Sequence, residues 1–132
     1  MGDKNKLIIA NCSGFLGDRF SAAKEMVEGG PIDFLTGDYL AELTMAILFR
    51  HTLKDPNRGY ASTFLKQMEE IMGQCLDKKI RVVSNAGGLN PKGLAMALEE
   101  VAGTLGLKPK IAYIEGDNLI PRLADLQEQG EN

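Results

Sequence analysis

Carboxylate side chains follow short apolar runs at several points of the chain. Asp38 and Glu42 are four residues apart, so both would lie on one side of a helix that begins at Asp38. Asp117 follows a later apolar run. These three carboxylates are candidates for acid–base catalysis or for holding a divalent cation such as Mg²⁺. The alternative is structural, with Asp38 as a helix N-cap and Glu42 favoured by the helix dipole.

The stretch "IRVVSNAGGLNPKG" (80–93) passes from β-branched residues into a polar turn with two adjacent glycines. Asparagine side chains donate and accept hydrogen bonds, and glycine permits backbone conformations with positive φ. A plain turn between a strand and a helix needs fewer such residues, so we predict that this stretch binds a ligand. The alternative is only a tight turn. The predicted ligand-binding residues here are Ser84, Asn85, Gly87, Gly88 and Asn90.

A second glycine-containing stretch, "NCSGFLGDR" (11–19), follows the first apolar run. Glycines after a strand let backbone N–H groups approach an anion, and the next helix N-terminus adds its dipole. The spelling is neither a P-loop nor GxGxxG, so it does not indicate nucleotide binding. The alternative is a glycine turn in which an aspartate caps the helix. The predicted ligand-binding residues here are Ser13, Gly14, Gly17, Asp18 and Arg19.

The elements that would position these residues alternate between strands and helices. Short apolar runs predict strands at 6–14, 32–38, 80–85 and 110–117, and apolar residues at helical spacing predict helices at 17–30, 39–53, 61–79, 91–107 and 119–132. This order predicts a single α/β domain over residues 1–132. We expect an open, mainly parallel sheet with helices on both faces, as in doubly wound Rossmann-like folds. All the candidate residues then meet at the carboxyl edge of the sheet, where such folds bind ligands.

Composition narrows the classes of partner. The chain has 132 residues, 44% hydrophobic and 25% charged, with a formal net charge of -3. This balance gives no electrostatic reason to expect nucleic acid or an anionic membrane as partner. No apolar run is long enough to span a bilayer, so we expect a cytoplasmic protein. Cys12 and Cys75 lack metal-ligand spacing, and His51 is the single histidine.

Four blocks of the sequence resemble the acyclic terpene utilisation protein A (AtuA-like) family. They are "CSGFLGDR" (12–19), "DFLTGDYLAELTMAIL" (33–48), "IRVVSNAGGLNPKG" (80–93) and "EGDN" (115–118), and the resemblance extends over roughly residues 6–120. Members of that family are longer, so the resemblance implies the N-terminal portion of a family protein.

The resemblance implies an enzyme or enzyme subunit in the breakdown of acyclic terpenes or of related acyl-CoA compounds. The expected ligand is then a small acyl compound, such as an acyl-CoA, at the carboxyl edge of the sheet. The alternative is a non-catalytic subunit or fragment. Such a chain would form a homo-oligomer or complete a site with a partner chain.

Overall fold

A three-stranded parallel sheet organises residues 5–130, the part of the chain that the computed structural model describes. The strands are β1 (Ile9–Asn11), β2 (Phe34–Gly37) and β3 (Arg81–Ser84), and their order in the sheet is β1-β2-β3. Both strand pairs are parallel, and Leu35 lies opposite Ala10 on one side and Val82 on the other. The predicted α/β class with an open parallel sheet is confirmed.

The helices are α1 (Ala22–Glu28), α2 (Glu42–Lys54), α3 (Ser62–Asp77), α4 (Pro91–Leu105) and α5 (Leu123–Glu128), with a 3₁₀ turn at Ile120–Arg122. Each corresponds to a segment whose apolar spacing predicted a helix, and all but α2, which ends one residue later, lie within the predicted bounds. The termini of α4 show why the sequence folds this way. Asn90 caps its first turn by accepting a hydrogen bond from the Gly93 N–H, and Gly106 ends it in the left-handed conformation at φ 69°. No helix within residues 5–130 combines the length and apolarity needed to cross a bilayer.

The hydrophobic core lies between one face of the sheet and helices α1 and α3. Leu35 of the central strand is fully buried, as are Val27 of α1 and Ile71 of α3. On the opposite face Ile9 is 62% and Val83 is 58% exposed. Right-handed crossovers place helices on a single face as long as the strand order advances in one direction. The strand order β1-β2-β3 does not reverse, so the face of the sheet that carries Ile9 and Val83 stays uncovered there. The Rossmann-like arrangement, with helices on both faces, stays a prediction.

The predicted fourth strand at 110–117 is wrong for this structure. Residues 110–117 form no strand and pair with none of the three strands described above. Tyr113 is 46% and Ile114 is 92% exposed. The apolar run does favour extended backbone, but a strand also needs a neighbour to bond its N–H and C=O groups. That neighbour comes from a distant part of the sequence, so a local pattern cannot show whether it is present.

Candidate functional site

An open groove of about 390 Å³ lies where the three strands end. The residues that line it come from the ends of all three strands and from the loops that follow β2 and β3. They are Asn11, Thr36, Gly37, Asp38, Val83, Ser84 and Asn85. The groove therefore occupies the carboxyl edge of the sheet, which is where the sequence predicted a site and where parallel sheets bind ligands.

Asp38 and Asn85 form the polar centre of this groove. The Asn85 Nδ2 donates to Asp38 Oδ1 at 2.7 Å, and the Asn85 Oδ1 accepts from the Tyr39 N–H at 2.9 Å. The Leu40 N–H also donates to Asp38 Oδ1, at 3.2 Å. One amide thus joins the loop after β2 to the end of β3. Both the nitrogen and the oxygen of the Asn85 amide make these hydrogen bonds.

These hydrogen bonds set the charge of the groove. The Asn85 amide, and after it the Leu40 N–H, hold the pKa of the Asp38 carboxyl below its usual value. Asp38 is therefore ionised at neutral pH. Its second oxygen, Oδ2, accepts no hydrogen bond from the residues described in the structure, so it can accept one from a ligand. A lowered pKa makes Asp38 a weak base, and a bound hydrogen-bond donor suits it better than proton abstraction does.

Asn11 and Thr36 form a second polar wall that the sequence did not predict. Asn11 Nδ2 donates to the Ser13 carbonyl at 2.9 Å, and the Thr36 hydroxyl lies 3.2 Å from Asn11 Oδ1 and 3.3 Å from the Ala10 carbonyl. Both side chains belong to strand residues that precede the glycine-containing loops. They lie on the same face because the pairing register sets Asn11 opposite Thr36, and the sequence alone gives no signal for that register. Val83 shares that face and gives the groove an apolar floor.

The loop after β1 uses its polar residues to hold its own shape. Asp18 accepts hydrogen bonds from the Gly14 N–H at 2.9 Å and the Arg19 N–H at 2.7 Å, and these bonds, in that order, lower the pKa of its carboxyl. Arg19 forms a 2.7 Å ion pair with Glu25. The Ser13 hydroxyl donates to the Phe15 carbonyl, and Gly17 has a φ of 88°. None of the five predicted residues of this loop lines the groove.

The "NAGGLN" turn after β3 is locked to a distant loop. Asn90 donates from Nδ2 to the carbonyls of Asn57 and Arg58, at 3.2 and 3.1 Å. A Cβ on Gly88 would lie 2.6 Å from Leu48 Cδ1 and 2.7 Å from the Gly59 carbonyl oxygen, and one on Gly87 would lie 2.8 Å from Pro91. Internal packing therefore accounts for both glycines and for Asn90. Of the predicted residues in this stretch, Ser84 and Asn85 line the groove, and ligand binding by the others stays a prediction.

The two remaining predicted carboxylates lie away from the groove lining. Glu42 is the exposed first residue of α2, and Asp117 belongs to the exposed segment after α4. Across residues 5–130, no three His, Cys, Asp or Glu side chains come together in a way that could hold a metal ion. The three predicted carboxylates therefore do not assemble a Mg²⁺ site within the described part of the chain.

A buried polar network behind the groove also escaped the sequence reasoning. The Tyr39 hydroxyl donates to Gln67 Oε1 at 2.5 Å, Gln67 Nε2 donates to the Phe20 carbonyl at 3.0 Å, and Cys12 Sγ lies 3.7 Å from the hydroxyl. Tyr39 is 2% exposed, and its ring makes an edge contact with Phe64. The network fixes the residue that follows Asp38, so it holds the polar centre of the groove in place.

Comparison with protein families identifies the group to which this sequence is related. The model of the acyclic terpene utilisation family protein AtuA matches residues 7–132. The chain belongs to the AtuA family. The match includes the three strands and all the residues that line the groove. Searches of curated proteins and of solved structures found no match.

Both cysteines of this AtuA-family chain are buried thiols, and we expect them to react slowly in the native state. Burial raises the pKa of Cys12, and it raises the pKa of Cys75 to about 11. Only the thiolate reacts with disulfide reagents, and each unit of pKa reduces the thiolate about tenfold. Labelling with an aromatic disulfide at about pH 8 should be at least tenfold slower in buffer than in denaturant. Equal rates in the two conditions would contradict the packing of these residues.

Proposed function

We propose that this AtuA-family chain binds a small acyl ligand in the groove at the carboxyl edge of its sheet. In this proposal it acts as an enzyme, or as a subunit of one, in the breakdown of acyclic terpenes or related acyl-CoA compounds. The observation that carries the proposal is the free oxygen of an ionised Asp38 beside the apolar floor of Val83. A ligand with a polar head and an aliphatic chain matches that combination.

The head of such a ligand would donate a hydrogen bond to Asp38 Oδ2. Asn85 and Asn11 each use one of their two amide hydrogens, on Asp38 and on the Ser13 carbonyl, and these bonds hold the groove in shape. A hydroxyl or an amide N–H is the required donor, and acyl-CoA thioesters carry both in their pantetheine arm. The aliphatic part would run from Val83 along the uncovered face of the sheet towards Ile9, which is also exposed.

Replacing Asp38 with asparagine is expected to weaken binding of this ligand at least tenfold. A hydrogen bond to a charged acceptor is roughly twice as strong as one to a neutral acceptor, so loss of the charge is expected to cost about tenfold or more in affinity. The measurement is titration calorimetry of the 132-residue chain with a panel of acyl-CoAs and free hydroxy acids, with and without Mg²⁺. Because hydrogen bonds hold the pKa of Asp38 below the ordinary aspartate value of about 3.9, wild-type affinity should persist from neutral pH through that value and fall only at more acidic pH.

The matched control for this experiment is Asp77→Asn. Asp77 is an exposed aspartate at the end of α3 and lies outside the groove lining, so its replacement makes the same change in net charge. Affinity should be unchanged in this variant. Equal loss in both variants would indicate a general charge effect and would contradict a specific role of Asp38. Absence of heat with every compound of the panel would contradict the proposed ligand.

A non-catalytic subunit is the second candidate function. The uncovered face of the sheet favours it, since Ile9 and Val83 would both be shielded from water by another chain. A subunit of this kind would show no heat with the ligand panel. It would instead co-purify with a partner chain that covers Ile9 and Val83.

A further inference from the structure

The outer edge of β3 presents unpaired backbone groups. Arg81 N donates to the Asp33 carbonyl at 3.0 Å, which turns the backbone of Arg81 towards β2. In a parallel sheet, successive residues of a strand direct their backbone N–H and C=O groups to opposite sides. Val82 and Ser84 therefore direct theirs away from β2. No strand covers this side of β3 within residues 5–130. The edge is therefore a template for a further parallel strand.

Residues 110–117 have the composition of such a strand and lie in the right place along the chain. Helix α3 packs between α1 and α4, so the order of the helices across the sheet follows the order of the strands. Helix α4 is thus the outermost of the three. A right-handed crossover through α4 would bring the next strand to the outer edge of β3. Yet in this structure the segment pairs with no strand, and Ile114 is 92% exposed.

We propose that residues 110–117 of one copy of this chain add as a fourth strand to β3 of a second copy. The segment is joined to α4 by a short hinge that includes Gly106, at φ 69°, and Pro109. The exchange is reciprocal, because each copy has a free edge at β3 and an unpaired segment at 110–117. A two-fold symmetric dimer follows, in which the β3 edge of each copy is paired.

The exchange also has a consequence for the groove. A strand parallel to β3 runs to the same edge of the sheet as β3, so the last residues of the partner copy's segment, 115–117, would extend past the carboxyl end of β3. Asp117 would then lie near Asn85 and could complete the groove from the second copy. The dimer itself does not depend on the proposed ligand, and its formation is measured without one.

Replacing Ala112 with proline is expected to convert the dimer into a monomer. With Ile111 opposite Val82, the Ala112 N–H faces β3, and proline removes the hydrogen bond that this N–H donates to β3. Light scattering after size exclusion should give twice the chain mass of 14.3 kDa for the wild type and 14.3 kDa for Ala112→Pro. The control, Ala112→Val, keeps the N–H and favours extended backbone, so it should stay dimeric. A monomeric wild type at every concentration up to its solubility limit would overturn the proposal.

Cross-linking tests whether the strand comes from a second copy. One chain carries Arg81→Cys, a second chain carries Ile111→Cys, and one of the two also carries a tag. The two chains are refolded together and treated with a short bismaleimide. The native thiols, Cys12 and Cys75, are buried and should not compete. We expect a cross-link between tagged and untagged chains. A link that forms only within one chain carrying both substitutions would show that each strand pairs with its own β3, and would overturn the exchange.

Discussion

Replacing Gly88 with alanine is expected to lower the free energy of unfolding by about 2–6 kcal/mol. Gly88 has a φ of 54°, which is unfavourable for a residue with a Cβ. The new methyl would also lie 2.6 Å from Leu48 Cδ1 and 2.7 Å from the Gly59 carbonyl oxygen. Residues held in sparsely populated backbone regions cost about 1–3 kcal/mol, and overpacking adds about the same. Urea unfolding followed by circular dichroism measures the loss.

The control for Gly88 is Gly103→Ala. Gly103 lies within α4, and a Cβ there would meet no atom within 4 Å. Alanine is favoured over glycine in a helix by about 0.5–1 kcal/mol, so this variant should be slightly more stable than the wild type. If Gly88→Ala unfolded at the same urea concentration as the wild type, the close packing of the turn against α2 and Gly59 would be wrong.

The helices could be predicted from the sequence because their signals are local. Apolar spacing located α3 and α4, and the spelling "NPKG" contains both the cap Asn90 and the first-turn Pro91 that the structure shows. The segment 110–117 was predicted wrongly because strand pairing is not local. The same apolar run could pair with β3 of its own chain, pair with another chain or remain unpaired. The sequence of these eight residues, 110–117, does not distinguish the three outcomes.

The candidate site was predictable at the level of the sheet edge and less so at the level of side chains. Asp38 and Asn85 come from different loops and do meet, because parallel strands end at the same edge. The two glycines of the "NAGGLN" turn show the limit. A glycine that exposes its N–H to a ligand and a glycine that leaves space for Leu48 look the same in the sequence. Only the tertiary structure distinguishes the two roles.

Stability is expected to depend on pH through Tyr39, whose surroundings favour the neutral phenol. Burial is the largest cause of the raised pKa of its hydroxyl, and the nearby Cys12 adds to it. The folded chain therefore keeps the proton at pH values where the unfolded chain loses it. This contribution is complete below the unfolded pKa of about 10 and is lost as the pH rises above it. Urea midpoints of the wild type should fall more steeply above pH 10 than those of Tyr39→Phe.

Replacing Tyr39 with phenylalanine at neutral pH is expected to lower the free energy of unfolding by about 1–3 kcal/mol. The hydroxyl is the donor to Gln67 Oε1, and Gln67 is only 3% exposed. Without it a buried carbonyl loses its hydrogen bond, and the cost is the desolvation of that group. The residue Tyr113 is 46% exposed, so removing its hydroxyl in Tyr113→Phe should leave the free energy of unfolding unchanged.

A double-mutant cycle separates this hydrogen bond from a simple loss of packing. Tyr39→Phe and Gln67→Met each leave one polar partner of the pair unsatisfied, whereas the double variant removes both. If the bond holds the network together, the double variant should lose less stability than the sum of the single losses. Strict additivity would show that the two groups are independent. It would also remove the reason for believing that this network positions Asp38, because Tyr39 connects Gln67 and Phe20 to the backbone that Asn85 binds.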